Sequence, residues 1–321
     1  MKMSRRTALL MLASCLPVAR SLAADSSNGP TTIVAPFVPG GTADVLARTI
    51  GQRLSAKYNV PFVIENKTGM GGNIGARSVA AAKPDGKTLL LGTIGIHAAY
   101  SIYRELPYDP AKELQPIIIL GAVPCTIVVH PDLPFKSLDD LITFAKANPK
   151  KLNFGSAGVG SSTHMVGELF QQAAGIELTH VPYRGSAAAM TDLMGGQIDM
   201  MFELLTTSGA IIKSGKIRAL ALTSKERSAL LPDLPTVSEL AIPGFDGTGW
   251  FTIAASSGVP ADIVERLNKD INEALHAPDL QKTWEGQALQ IIGGSPEEAR
   301  KFVADETVKW KKVIDTAKIS T

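Results

Sequence analysis

The chain has 321 residues, 45% of them hydrophobic and 19% charged. That is enough apolar content for a globular core and enough length for two domains of ordinary size, and too apolar for a disordered chain. Of 32 basic residues, Lys2, Arg5, Arg6 and Arg20 precede the first acid, Asp25, and from there on the balance is 28 basic against 30 acidic, which argues against the basic surface of a nucleic-acid binder.

Residues 1–24 have the layout of an export signal. MKMSRR is a basic start, TALLMLASCLPVA an apolar run, and small residues stand before Asp25, so cleavage is expected near Ala23 or Ala24. Ser4-Arg5-Arg6 also passes as a loose twin-arginine signal, and Leu12-Ala13-Ser14-Cys15 as a lipoprotein box that would acylate Cys15. The apolar stretch continues past Cys15, which favours plain cleavage and a periplasmic product. Cys125 is then the one cysteine left, so an intramolecular disulfide is excluded; its setting, GAVPCTIVVH, is that of a buried strand residue rather than a reactive thiol.

From residue 31 short apolar runs alternate with helical periods, the signature of α/β architecture. The predicted strands are TIVAPFV, PFVIEN, TLLLGT, PIIILGA, TIVVH, KLNFGSA, LTHVPY, IDMMFE, IRALALT and WFTIAAS. Helices are predicted after Ser137, with Asp139 and Asp140 in the first turn, at Pro260-Ala261-Asp262, and after Ser295, running toward Lys318. Proline-rich joints at 106–115, 129–137 and 231–247 mark crossings between layers. They divide the chain into one lobe of residues 25–125 and 250–321 and a second of 126–249, with a ligand cleft expected between them.

Three glycine-rich stretches follow strands and start helices. In FVPGGTAD, Phe37 and Val38 end a strand, Gly40 and Gly41 turn, and Thr42, Ala43 and Asp44 open a helix whose free N–H groups suit an anion. A plain strand–turn–helix capped by Thr42 explains the same residues. NFGSAGVGSSTHM repeats the pattern with Ser156, Gly158, Ser161, Ser162, Thr163 and His164. KTGMGGNIGAR is a third, offering Asn73.

None of these is a nucleotide loop. Gly69 and Gly71 would need a glycine at Ile74, and Gly86-Lys87-Thr88 would need one at Ala81 and a helix where a strand follows. A serine hydrolase is disfavoured because no G-x-S-x-G elbow occurs, and the five histidines form no HExxH pair, so neither catalytic nor metal-ligating residues are assigned and no cofactor is expected. HVPYRGSAAAM supplies Tyr183 and Arg184 at a turn. Glu203 ends the apolar IDMMF run, where it either is solvated or faces the cleft toward a ligand donor.

Taken together, PFVPGGTADVLAR, VIENKTGMGGNIGA, KPDGKTLLLG, LPYDP, ANPKKLNFGSAGVGSSTHM, HVPYRGSAAAMTDLMGGQIDMMF, LPDLPTVSE and ETVKWKKVI resemble the Bug-type (TctC-like) solute receptors of tripartite tricarboxylate transporters, along the whole chain after residue 25. The resemblance implies a two-lobe periplasmic binding protein of type II, closing as a Venus flytrap on a small carboxylate. It implies no catalysis, and it implies delivery to a membrane permease; nothing in the sequence argues for an oligomer, so a monomer is expected. A sensor-kinase receptor would use the same fold. The loops Phe37–Asp44 and Ser156–His164 would hold the carboxylate, and Asn73, Thr93 and Glu203 would set the preferred acid. Family members usually carry Asp followed by a polar residue where this chain has Glu203-Leu204.

Overall fold

A computed structural model describes residues 29–320; the segment expected to be an export signal, with Cys15, lies outside them. Ten strands are present: β1 (Thr31–Ala35), β2 (Phe62–Asn66), β3 (Thr88–Thr93), β4 (Leu114–Val129), β5 (Asn153–Ser156), β6 (Thr179–Pro182), β7 (Met200–Leu204), β8 (Arg218–Leu222), β9 (Thr248–Ser256) and β10 (Gln290–Gly293). Nine of them carry the apolar runs predicted from sequence. The runs PIIILGA and TIVVH belong to one 16-residue strand, β4, that passes through Pro124. Strand β10 was not anticipated, being only four residues beside a glycine pair.

The strand order is β2-β1-β3-β9-β4-β7-β5-β6, with β10 and β8 also pairing with β4. β1 pairs in parallel with β2 and β3, and β5 in parallel with β6 and β7. Strand β4 is antiparallel to everything it touches and changes partners along its length. Leu114 to Pro124 pair with β9, and Cys125 to Val129 pair with β7 and β8. The change falls where Pro124 has no N–H to give and the next N–H, of Cys125, donates to Thr223 Oγ1 at 2.9 Å. Two parallel groups, β1-β2-β3 and β5-β6-β7, are thereby joined through β4 and β9.

Helices cover the sheet where burial demands it, because parallel strands are apolar on both faces. The helix Ser162–Ala174 sets Phe170 beside Phe202 of β7, which meets Phe154 of β5 edge-on with ring centroids 5.7 Å apart. These three rings are fully buried, roughly 2–3 kcal/mol of apolar transfer each. The helix Leu138–Ala147 begins with a full capping box from Ser137 and Asp140, and the last helix, Pro296–Ala317, with another from Ser295 and Glu298. That last helix ties both parts of the chain together: Glu306 accepts from Trp250 Nε1 at 2.6 Å, Thr307 donates to the His97 carbonyl at 3.0 Å, and Val313 accepts from Gln172 at 2.7 Å. Among the described residues no helix is long and apolar enough to cross a membrane.

Candidate functional site

Strands β1 and β3 run parallel, as do β5, β6 and β7, and each of these five strands delivers its carboxyl end to one cavity of about 330 Å³. Ligands of open α/β sheets bind at such ends. From the segment after β1 come Phe37, Val38 and Gly40 to Ala43; from β3, Thr93; from the segment after β5, Ala157 and Ser161 to Thr163; from that after β6, Gly185 to Ala187; from β7, Glu203 and Leu204. Phe251 of β9, Met190, Thr206, Thr207 and Ile211 complete the wall.

Three helices begin at this wall without a side-chain cap: Thr42–Tyr58, Ser186–Met194 and Leu205–Lys213. The N-cap of the first is Gly41, so Thr42 is the first helical residue and not the cap that the sequence allowed it to be. Its hydroxyl is left without a partner although Thr42 is only 4% exposed. Thr93 Oγ1 and Glu203 Oε2 are likewise buried and unpartnered. Buried polar atoms are normally paired, and these three line the same cavity. Among the described residues Glu203 is its one ionisable lining residue, and no Lys, Arg or His contributes.

Asp44 lies outside the lining and holds the turn instead. It accepts from Gly40 N at 3.0 Å, Arg48 Nε at 2.9 Å and Asn66 Nδ2 at 3.0 Å. Burial pushes its carboxyl up, but the bonds from Arg48, Gly40 and Asn66 outweigh this and hold it below the usual range.

The loop after β5 is tied to itself. Ser161 donates to the Gly158 carbonyl at 2.6 Å, Thr163 Oγ1 accepts from Ala157 N at 2.8 Å, and His164 Nδ1 accepts from Gly160 N at 3.1 Å. Ser156 is fully buried, its hydroxyl 2.7 Å from His180 Nε2, and accepts from Gly158 N at 3.1 Å. His180 stacks on His164 with centroids 3.9 Å apart; burial and then His164 push its pKa down to about 3. Ser156 and His164 therefore shape the loop from behind the cavity wall. Gly158 and Tyr183 line an adjoining cavity with Arg184 and Gly69 to Gly72, and Tyr183 donates to Asp192 at 2.7 Å.

Asn73 stands apart from the wall that the resemblance implied for it. Its amide donates to the Met70 and Gly95 carbonyls at 2.9 and 3.3 Å and accepts from Tyr108 at 2.7 Å, so its hydrogen bonds are used inside the fold. Cys125 is fully buried, and burial pushes its thiol up.

Glu203, which the sequence left between solvent and cleft, is 1% exposed. The Thr207 hydroxyl donates to its Oε1. Burial pushes its pKa up to about 7, partly opposed by bonds from Thr207, Ser186 and the Leu204 N–H.

Val38 and Ala157 fall within the loops Phe37–Asp44 and Ser156–His164 without being singled out there, and Gly185 to Ala187, Met190, Leu204, Thr206, Thr207, Ile211 and Phe251 are lining residues that sequence reading passed over. Gly185-Ser186 did carry a signal, since it repeats the glycine–hydroxyl helix start of Gly41-Thr42 and Gly160-Ser161. Thr207 and Ile211 stand four residues apart, on one face of the helix that starts just after Glu203. Phe251 gave none.

The family model of the tripartite tricarboxylate transporter family receptor matches residues 46–319. The chain belongs to that family. Protein BugT of Bordetella pertussis is 35% identical over 318 residues, 98% of each chain, and a protein of the tcbD-tcbE intergenic region of Pseudomonas sp. strain P51 is 38% identical over 286 residues, 89% of this chain and 85% of that one. Among solved structures, Rpa4515 of R. palustris with adipate superposes with a TM-score of 0.88 at 39% identity, covering 92% of this chain and 99% of its own. MatC of Rhodopseudomonas palustris with bound malate gives 0.83 at 30% identity, covering 89% and 99%. The periplasmic binding protein BugD gives 0.84 at 33%, covering 91% and 98%. This TctC-family chain thus has the fold of periplasmic binding proteins, and its relatives bind solutes.

Proposed function

We propose that this chain is an exported receptor that captures a small carboxylate between two lobes and delivers it, without chemical change, to the membrane subunits of a tripartite tricarboxylate-type transporter. The observation that carries the reading is the pair of buried, unpartnered hydroxyls of Thr42 and Thr93 on a cavity that several uncapped helix starts face. A carboxylate there accepts from both hydroxyls and from first-turn N–H groups, and the helix dipoles favour its charge without any cationic side chain. The cavity suits a small molecule, standing near the lower end of the roughly 300–1,000 Å³ typical of ligand pockets. Adipate and malate in two related structures support the same ligand class.

The partner change along β4 supports a division into lobes near residue 125, with the cavity between residues of β1 and β3 on one side and of β5 to β7 on the other. Residues 1–24 are assigned to export. Binding without turnover accords with the Ser156–His180 pair, whose serine is sealed from the cavity.

The test is a thermal-shift screen of the refolded chain from residue 25 against small carboxylates, hydroxy acids and amino acids. A ligand at a hundred times its Kd adds about 2.7 kcal/mol of stability. Stabilisation by one class of carboxylate is the expected result; no stabilisation by any carboxylate refutes the reading.

A further inference from the structure

The three unpartnered buried atoms of the cavity are not chemically alike. Thr42 and Thr93 Oγ1, at the ends of β1 and β3, can donate to an anion. Glu203 Oε2, at the end of β7, stands among groups that already donate to its carboxylate: the Thr207 hydroxyl bonds Oε1, and the Ser186 hydroxyl and Leu204 N–H stabilise its charged form. Phe37, Met190, Ile211 and Phe251 add apolar wall. The cavity is therefore polarised, with donors on the β1 and β3 side and an acceptor on the β7 side.

We propose that Glu203 selects the far end of the ligand by accepting a hydrogen bond from an ammonium or hydroxyl group, so that the cargo is a carboxylate bearing such a donor rather than a plain or dicarboxylic acid. This deepens the receptor reading and rests on it. With Glu203 ionised, above about pH 7, a second ligand carboxylate would face it with no cation among the described lining residues to offset two like charges, whereas an ammonium supplies the missing donor and the missing charge together. A hydroxyl supplies the donor alone. Burial pushes the Glu203 pKa up to about 7, so an arriving cation acts on a carboxyl group poised to ionise.

The test compares matched acids by calorimetry on the wild-type chain and on Glu203→Gln: hexanoate, ω-hydroxyhexanoate, ω-aminohexanoate and adipate, the corresponding butanoate set with succinate, and the α-amino and α-hydroxy acids of both lengths. Wild type is expected to bind a donor-bearing member about tenfold or more tightly than the plain and dicarboxylic acids of equal length. Glu203→Gln removes the charge but keeps an acceptor oxygen. It is expected to weaken an ammonium ligand about tenfold while changing a hydroxyl ligand much less, which tells the two donor sources apart. A wild-type preference for the plain or dicarboxylic acid overturns the proposal and leaves the receptor reading standing. So does an ammonium preference that Glu203→Gln leaves unaltered, or a hydroxyl preference that Glu203→Leu, which removes the acceptor, leaves unaltered. If no acid of any kind binds, the receptor reading falls and this proposal with it. The wild-type comparison stands whether or not the variant folds.

Discussion

Tyr103 Oη donates to the Val159 carbonyl at 2.8 Å, joining the segment that follows β3 to the loop that follows β5. The bond crosses from one parallel strand group to the other beside the cavity, so it exists only while the two sides are close. Tyr103→Phe deletes it and little else. One neutral hydrogen bond contributes about 1 kcal/mol, so affinity for the best carboxylate found by the screen is expected to fall roughly fivefold, through faster release. Stopped-flow dissociation checks this; an unchanged release rate would show that the bond does not hold the cavity shut.

Gly185 makes the second contact of this kind. A Cβ placed on it would lie 2.6 Å from Val38 Cγ2, and its φ of +116° is one that side chains rarely adopt. Gly185→Ala is expected to weaken binding more than Tyr103→Phe does, because the clash and the backbone strain act together. Calorimetry on Gly185→Ala and on the double variant Gly185→Ala/Val38→Ala separates them. Partial recovery in the double variant is the expected sign of the clash.

Gly41 is different, since its φ of −79° suits any residue and a Cβ there meets nothing nearer than the Val38 carbonyl at 3.8 Å. Gly41→Val should therefore fold, with a melting temperature close to that of wild type, while its methyl groups enter the space before the Thr42 helix. An affinity loss of about tenfold or more, roughly 1.4 kcal/mol, is expected. Equal affinity would remove this helix start from the site.

Asp44→Ala deprives Gly40 N, Arg48 and Asn66 of a shared, 3% exposed acceptor. Loss of these bonds is expected to destabilise the chain by about 2–3 kcal/mol and to loosen the turn that precedes Thr42. Urea unfolding measures the first effect and calorimetry at a temperature where the variant is folded measures the second. Destabilisation with wild-type affinity would confine Asp44 to holding the fold.

Stability should depend on pH in a way that isolates Glu203. Its carboxyl keeps a proton up to about 7 in the fold but gives it up near 4.3 when unfolded. Across that window the unfolded state binds fewer protons, so this group's contribution falls as pH rises, by roughly 4 kcal/mol in all, and is constant above about 7. His97 and His180, held neutral by burial down to about 4 and about 3, act the other way: stability falls as pH drops below about 6.5 because only the unfolded chain takes up protons. The difference between Glu203→Gln and wild type cancels the histidines. It should grow in favour of the variant from about pH 5 to pH 7 and then level off. A difference independent of pH would show that Glu203 is ionised throughout.

Some of this was legible because it is local. Nine strand runs, the helix starts at Ser137, Pro260 and Ser295, and the glycine–hydroxyl turns at Gly41-Thr42 and Gly160-Ser161 are written in residues a few positions apart, where periodicity and capping chemistry act. The chain's descent is written there too, in ordered motifs. Strand β10 was missed because four residues hold too little pattern, and β4 was split because Pro124 reads as a break, although at a change of partner its missing N–H costs nothing.

What the sequence determined by itself is the stock of parts: α/β elements, helix starts suited to an anion, and a lone acid at the end of an apolar strand. Which of them meet was decided only by the tertiary structure. It turned Asn73 inward to Tyr108, locked Ser156 against His180, and brought Thr42, Thr93 and Glu203 to one cavity from positions up to 161 residues apart with their polar atoms unpaired. The reason is that a side chain's partners are fixed by pairing across β4 and β9 and by burial, which no local window contains, and a buried oxygen is left without a partner only when the whole surround has closed around it.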